Sequence, residues 1–209
     1  MFEIPADLPP EAVPLAWLLG VWEGQGVVSY SQPAGDRVTE FEFGQRVAFT
    51  NDGLPALNYN AFFWRLDEAL TPLTSAMGYW RLAQPAGADI PGPGLLDGTA
   101  PEEGDRGLDA EGVAALRTED GLPLEVSVVH PDGVDELYVG ALQGARITLA
   151  TDAVLRSRHA RPYESASRMY GLVERQLLWS WDLGAFGNPL TSHASATLRK
   201  VSGPGTTVR

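Results

Sequence analysis

The chain has 209 residues, of which 27 are Asp or Glu and 15 are Lys or Arg, so its formal net charge is −12. This acidic surplus argues against a nucleic-acid-binding protein and against docking on an anionic membrane, because both need clustered Lys and Arg. The absence of cysteine excludes disulfides, thiolate metal sites and a cysteine nucleophile.

The N-terminal region predicts a cytoplasmic protein with one short helix. MFEIPADLPP is acidic and rich in proline, unlike a signal peptide, and no apolar run in the chain approaches the roughly 18 residues of a membrane span. Apolar residues cluster at positions 11–19 before Gly20, a residue type that often ends helices. We expect this helix to plug one mouth of the barrel that the following strands form.

Short runs of β-branched and aromatic residues, punctuated by Gly and Pro, predict about eleven strands. They cover residues 21–30, 38–43, 45–50, 56–66, 76–82, 123–130, 135–142, 145–151, 165–173, 176–183 and 191–201. Most connections between them are short. The pattern therefore favours an all-β fold, a closed up-and-down antiparallel barrel in which sequential strands are neighbours.

Residues 83–122 form an insert of different composition within the single domain that we assign to residues 1–209. The insert is rich in Gly, Pro and acidic residues and contains no aromatic residue. Such a segment buries little apolar surface, so we expect a flexible, solvated excursion with a brief helix near residues 108–117. We expect the C-terminal tail to be frayed as well.

Histidines are the main candidates for chemistry, and there are three. His130 precedes a turn and His159 lies in a basic stretch, so both are expected at the surface. His193 lies in the last predicted strand among small residues, which leave room for a flat ligand beside the imidazole. Strand alternation places His193 on the same face as Ser195 and Thr197. An exposed or hydrogen-bonded strand histidine remains the alternative.

The segment LLGVWEGQG, residues 18–26, is a second candidate for a functional role, after the histidines. Trp22, Gly24 and Gly26 fall on one face of a strand, where Trp22 can fill the closed end of the barrel. The two glycines permit either a bend of the strand at a barrel corner or the close approach of another group.

These residues resemble the nitrobindins, a branch of the fatty-acid-binding-protein-like barrels. The GxWxGxG motif is formed by Gly20, Trp22, Gly24 and Gly26, and a histidine follows the WSWD strand in the last strand. The resemblance covers residues 15–201 apart from the insert. It implies a barrel of ten strands that holds one heme b per chain near one mouth.

The resemblance also implies roles for individual residues. His193 matches the position of the proximal iron ligand, and Thr50 matches a position that lines the heme pocket. Arg161 falls where the family can carry a basic residue near the heme. The implied activity is isomerisation of peroxynitrite to nitrate at a ferric heme, together with binding of nitric oxide.

A heme-free carrier of a fatty acid or another small apolar ligand is the alternative, because the fold is related to lipid carriers. Such a carrier needs a charged anchor for the carboxylate inside the barrel, and the sequence does not place one. In either case we expect small-molecule ligands rather than nucleic acid or membrane as partners. A homodimer is the oligomer that we expect if the chain self-associates.

Overall fold

Ten antiparallel strands form a closed barrel in a computed structural model that describes residues 5–31, 38–84, 107–185 and 187–202. Each strand pairs with its neighbours along the chain, and the last strand pairs with the first. The predicted all-β, up-and-down barrel is therefore confirmed. In this part of the chain, no helix is both long and apolar enough to cross a membrane.

A plug helix of 3-10 type (Val13–Leu18) precedes the strands, and one short α-helix, α1 (Ala110–Ala115), lies between the fourth strand and the fifth. The strands are β1 (Gly20–Ser31), β2 (Val38–Thr50), β3 (Leu57–Arg65), β4 (Pro72–Leu82), β5 (Leu122–Val129), β6 (Val134–Gln143), β7 (Arg146–Arg156), β8 (Ser165–Val173), β9 (Gln176–Gly184) and β10 (Thr191–Ser202).

One strand replaces two predicted ones, because Gly44 does not interrupt β2. Gly44 pairs with Gln25 of β1 and with Trp64 of β3. The Trp64 indole covers it so closely that a Cβ on Gly44 would lie 2.2 Å from Trp64 Cε2. The glycine accommodates an aromatic ring within a continuous strand, and the eleven predicted strands become ten.

The plug helix closes one end of the barrel, as predicted. Leu15 and Leu18 are fully buried, and so is Trp22 of β1. Trp22 Nε1 donates a hydrogen bond of 2.6 Å to the Leu18 carbonyl, so the motif tryptophan joins the plug to the barrel wall. Burial of these three large side chains contributes several kcal/mol, at about 1.5–3 kcal/mol each.

The motif glycines allow the first and last strands to approach closely. A Cβ on Gly24 would lie 2.1 Å from the Thr197 carbonyl oxygen, and one on Gly26 would lie 2.3 Å from that of Ser195. Both obstacles are backbone atoms of β10. Of the two roles that the sequence left open, the structure shows close approach.

The predicted flexible insert lies largely outside the described residues, as does most of the C-terminal tail. What is described begins at Gly107 and continues through α1, which is close to the brief helix predicted at residues 108–117. Asp109 caps this helix by accepting a 2.8 Å hydrogen bond from Gly112 N–H. The buried Glu11 accepts a 2.6 Å bond from Leu108 N–H, which ties the segment to the plugged end.

Candidate functional site

Two adjoining cavities lie toward the end of the barrel opposite the plug. The inner one has a volume of about 170 Å³ and the outer one, at the mouth, about 430 Å³. The outer volume is within the usual range for small-molecule sites. The residues that line both cavities are Thr74, His130, Trp181 and His193.

His193 reaches these cavities because of a β-bulge. In the pairing of β10 with β9, Ser192 is opposite Asp182 and Ala194 is opposite Trp181, so His193 is an extra residue. Alternation alone predicts that His193 shares the exposed face of Ser195. The bulge instead re-aims the imidazole so that it lines the inner cavity beside Ala194.

The environment of His193 favours a neutral imidazole. Burial lowers the pKa of His193, and the nearby Arg168 acts in the same direction, whereas a hydrogen bond to the Ser29 backbone opposes them. A bond that raises a histidine pKa is one in which the ring donates, here to a carbonyl. One ring nitrogen is thereby held by the protein, and the other keeps a lone pair for a ligand.

Trp181 forms the wall between the two histidines. Its ring meets the His193 ring edge-on at 4.8 Å between centroids and lies nearly parallel to the His130 ring at 6.4 Å. The guanidinium of Arg168 lies over the same indole at 4.4 Å. Trp181 Nε1 is buried and has no hydrogen-bond partner among the described residues, so it is a donor that a bound group can satisfy.

A buried polar network lies behind this wall, centred on the Glu136 carboxylate. Arg168 Nη2 donates to Glu136 at 2.8 Å, and His130 Nε2 is 2.7 Å from the same oxygen. The hydroxyls of Tyr138 and Tyr163 donate to the other oxygen. Burial alone raises the pKa of Glu136, but Arg168 and the hydrogen bonds outweigh it and hold the pKa at about 2.

The sequence analysis did not predict this network, although the alternation of inward and outward side chains along β6 and β8 indicates it. Glu136 has the same strand parity as the buried Val134 and Tyr138 of β6. Arg168 likewise shares the parity of the buried Ala166 and Tyr170 of β8. An ionisable residue at an inward position on each of two strands would have pointed to an internal charge pair.

The expectation that His130 lies at the surface is wrong. Its side chain is 13% exposed, because it contacts the buried Glu136 and packs against Trp181. His130 lies between β5 and the turn that follows, at the mouth of the barrel, where it lines the outer cavity. The sequence predicts the turn but not that it lies beside this cavity. His159 is exposed, as predicted.

The structure places the other two predicted site residues at opposite ends of the barrel. Arg161 is exposed and lines the outer cavity together with His193. Thr50 is exposed at the end of β2, next to the Gly20–Phe49 pair, where Asn58 Nδ2 donates to its hydroxyl at 3.4 Å. His193 is instead bonded to Ser29, nine residues further along β1, which is about 30 Å at 3.3 Å per residue. Thr50 is not brought to the His193 cavities, because antiparallel pairing leaves it at the plugged end.

The donor set around the cavities fits a flat, metal-bearing cofactor. His193 offers a neutral ring nitrogen, and its second nitrogen is fixed by a backbone carbonyl in the manner of metal-binding histidines. The inner walls are mainly apolar and aromatic, with Phe43, Phe63 and Trp179 among the residues that line them. An apolar slot with one nitrogen ligand at its rim suits a porphyrin better than a bare cation, which needs several donors.

Comparison with known proteins is consistent with this arrangement. Residues 11–200 match the family model described as "THAP4-like, heme-binding beta-barrel domain". A protein of Leifsonia xyli subsp. xyli named "Peroxynitrite isomerase" is 51% identical over 202 residues, covering 96% of this chain and 100% of that protein. A protein of the same name from Clavibacter michiganensis subsp. michiganensis is 52% identical over 204 residues, with the same coverage.

Among solved structures, the crystal structure of Rv2717c from M. tuberculosis is similar in fold. The TM-score is 0.66 at 24% sequence identity, and the alignment covers 92% of this chain and 98% of the other. At this level of identity the likeness supports the barrel architecture alone.

Proposed function

Because the chain belongs to the THAP4-like heme-binding β-barrel family, we propose that it is a heme-dependent isomerase that converts peroxynitrite to nitrate. His193 carries the proposal: a bulge turns this imidazole into the cavity, and burial keeps it neutral. We infer the activity from the name of two relatives, each of which this chain matches over its whole length.

Residues of this chain would hold the cofactor and shape its surroundings. When bound, a ferric heme would supply a Lewis acid toward an oxygen of peroxynitrite. His193 would hold the iron, and Arg161, which lines the outer cavity, would offset the charge of a propionate. Trp181 and the aromatic walls exclude water from the inner side, which strengthens electrostatic interactions there.

Three finer features belong to the same proposal. The cofactor is heme b, one per chain, because the resemblance assigns iron ligation to His193 alone, which lines both cavities, and the sequence has no cysteine that could attach heme covalently. Nitric oxide is a second ligand, since it is small, uncharged and able to enter an apolar cavity. The protein works in the cytoplasm, which subcellular fractionation of the host would test.

The competing carrier function is disfavoured by the charge pairing inside the barrel. Arg168 is a buried cation that lines the inner cavity, and it is the kind of anchor that a fatty-acid carboxylate requires. However, Glu136 already neutralises it at 2.8 Å, and Arg168 Nε also donates to the Tyr138 hydroxyl at 2.7 Å. A second carboxylate would find this anchor occupied.

Titration of the purified apoprotein with hemin tests the central claim. We expect a Soret band that saturates at one hemin per chain for the wild type, and a shifted or much weaker band for His193→Ala. His159→Ala is the matched control, because that histidine is exposed. An identical spectrum from His193→Ala would refute the iron-ligand assignment, and tight binding of a fatty acid with no hemin binding would favour the carrier.

A homodimer is proposed from an apolar concavity on the outer face of the barrel. Val27, Met169 and Leu178 line it and are 45%, 42% and 36% exposed. Val27 and Met169 lie at the two ends of one row across β1, β10, β9 and β8, with the small side chains of Ser195 and Ser180 between them. Sedimentation of the wild type and of Met169→Glu would test it: a dimer that dissociates in the variant supports the proposal.

A further inference from the structure

His130 is the second imidazole that lines both cavities, and its position is set by a buried carboxylate. Glu136 has no exposed side-chain surface, and the side chain of His130 is 13% exposed. The two are joined at 2.7 Å between His130 Nε2 and Glu136 Oε2. An imidazole held by a buried carboxylate has a defined orientation, as in other carboxylate–histidine pairs.

The hydrogen bond to Glu136 fixes which nitrogen of His130 carries a proton. Four groups surround the carboxylate, and three of them, Arg168, Tyr138 and Tyr163, can only donate in these contacts. An ionised carboxylate can only accept. His130 Nε2 is therefore the protonated nitrogen, and Nδ1 keeps the lone pair of the neutral ring.

Nδ1 of His130 has no hydrogen-bond partner among the residues that the structure describes. One face of the His130 ring stacks against Trp181, and His130 lines the same two cavities as His193. His130 thus offers a basic nitrogen to the same space as the cofactor ligand, and neither the fold nor the proposed iron ligation uses it.

We propose that His130 is the proton-accepting residue of the cavity: its Nδ1 takes the proton of ligands that enter in the protonated form. This inference rests on the proposed function: the ligands are small oxyacids, and peroxynitrous acid is the substrate. The O–H bond breaks, an N–H bond forms at Nδ1, and the electron pair stays on the peroxynitrite anion. Isomerisation of that anion to nitrate consumes no proton, and the imidazolium then returns its proton to water.

The charged groups around His130 suit this role. Glu136 of β6 stabilises the imidazolium directly, while Arg168 of β8 contacts the same carboxylate and acts in the opposite direction. Asp132, in the turn that follows His130, and Arg161 line the outer cavity with opposite charges. His193 of β10 is neutral, because burial lowers its pKa.

Two ligands of the hemin-loaded protein separate proton acceptance from other roles of His130. Hydrogen cyanide must lose its proton to bind ferric iron, whereas nitric oxide has no proton to lose. In His130→Gln the amide nitrogen still reaches Glu136, so the network keeps its donor while the base is lost. At pH 7 we expect the association rate of cyanide to fall at least about a hundredfold in this variant, the low end for loss of a general base. The association rate of nitric oxide should change less than about twofold.

An unchanged cyanide rate in His130→Gln would overturn the proposal, and so would an equal fall in both rates, because that would indicate a damaged pocket. A second measurement does not depend on the variant folding. In the wild-type apoprotein labelled with ¹⁵N-histidine, the neutral ring of His130 should carry its proton on Nε2, with Nδ1 unprotonated. A protonated Nδ1 in the neutral ring would also overturn it.

These outcomes are distinguishable from failure of the proposed function. If the chain does not bind hemin, no Soret band forms in the wild type, and the ¹⁵N measurement alone then decides whether His130 presents a free base. If hemin binds and peroxynitrite is not isomerised, the cyanide and nitric oxide rates still report on His130.

Discussion

At the scale of single residues, the Glu136 carboxylate makes the stability of the barrel depend on pH. Its pKa is lowered from 4.5 to about 2, so the ionised form stabilises the folded state fully above pH 4.5. That contribution is lost as the pH falls from 4.5 toward 2, and it amounts to about 3 kcal/mol at 1.36 kcal/mol per pKa unit.

Replacement of Glu136 by Gln should remove this acid dependence. Urea unfolding at pH 7 and at pH 3 should show a smaller loss of stability in acid for Glu136→Gln than for the wild type, by roughly 2–3 kcal/mol. At pH 7 the variant should be less stable by about 3–5 kcal/mol, because Arg168 is left with an uncompensated buried charge. Equal acid sensitivity of the two proteins would show that the carboxylate is not ionised in the fold.

The sequence predicted that His193 belongs to the candidate site, whose cavities it lines, but not which residues surround it. The resemblance pointed to His193, whereas alternation placed that residue on the exposed face of Ser195. The bulge that reverses this depends on how β9 meets β10, which no local pattern contains. His130 and Glu136 are close only because a turn after β5 brings them together, so neither residue alone predicts the pair.

At the scale of elements, the seam between β1 and β10 depends on glycine. Gly24→Ala should lower the unfolding free energy by about 1–3 kcal/mol, since its Cβ would meet the Thr197 carbonyl oxygen and backbone must move. For a chain of this size that is a fall in Tm of about 2–12 °C. Differential scanning calorimetry gives the comparison.

Gly171→Ala on β8 is the matched control for that substitution. No atom lies within 4 Å of the position that its Cβ would take, apart from its chain neighbours. We expect a change within about 0.5 kcal/mol, or a gain from the less flexible unfolded chain. A loss as large as that of Gly24→Ala would mean that strand glycines matter here for reasons other than close approach.

Most strands were predictable because one face of each is buried and the other is not. The error at β2 has a non-local cause: Gly44 looks like a break in the chain, while its real surroundings include the Trp64 ring from β3. The plug helix was predicted in place, but its 3-10 geometry follows from packing on the barrel end rather than from helix propensity.

At the scale of the whole molecule, the net charge of −12 opposes the approach of substrate molecules that arrive as the peroxynitrite anion rather than as the neutral acid. Salt screens such repulsion, so the second-order rate constant for peroxynitrite above pH 7 should rise by a factor of about two or more between low and physiological ionic strength. Stopped-flow measurements with uncharged nitric oxide supply the control, whose rate should not depend on salt. A peroxynitrite rate that falls with salt would indicate local steering by cations at the mouth, with Arg161 the first to test.

The pairing of the first strand with the last also orders events during synthesis. β10 carries His193, the proposed iron ligand, and completes the barrel against β1, so both the ligand and the closed wall depend on a strand that is synthesised after the other nine. Strands synthesised earlier can pair only with their neighbours in the chain, and the outermost strands keep unpaired edges until β10 is added, because chains fold progressively from the N-terminus as they are made. If His193 holds the iron as proposed, heme is captured only after β10 has been made, and a chain terminated before β10 should not bind heme.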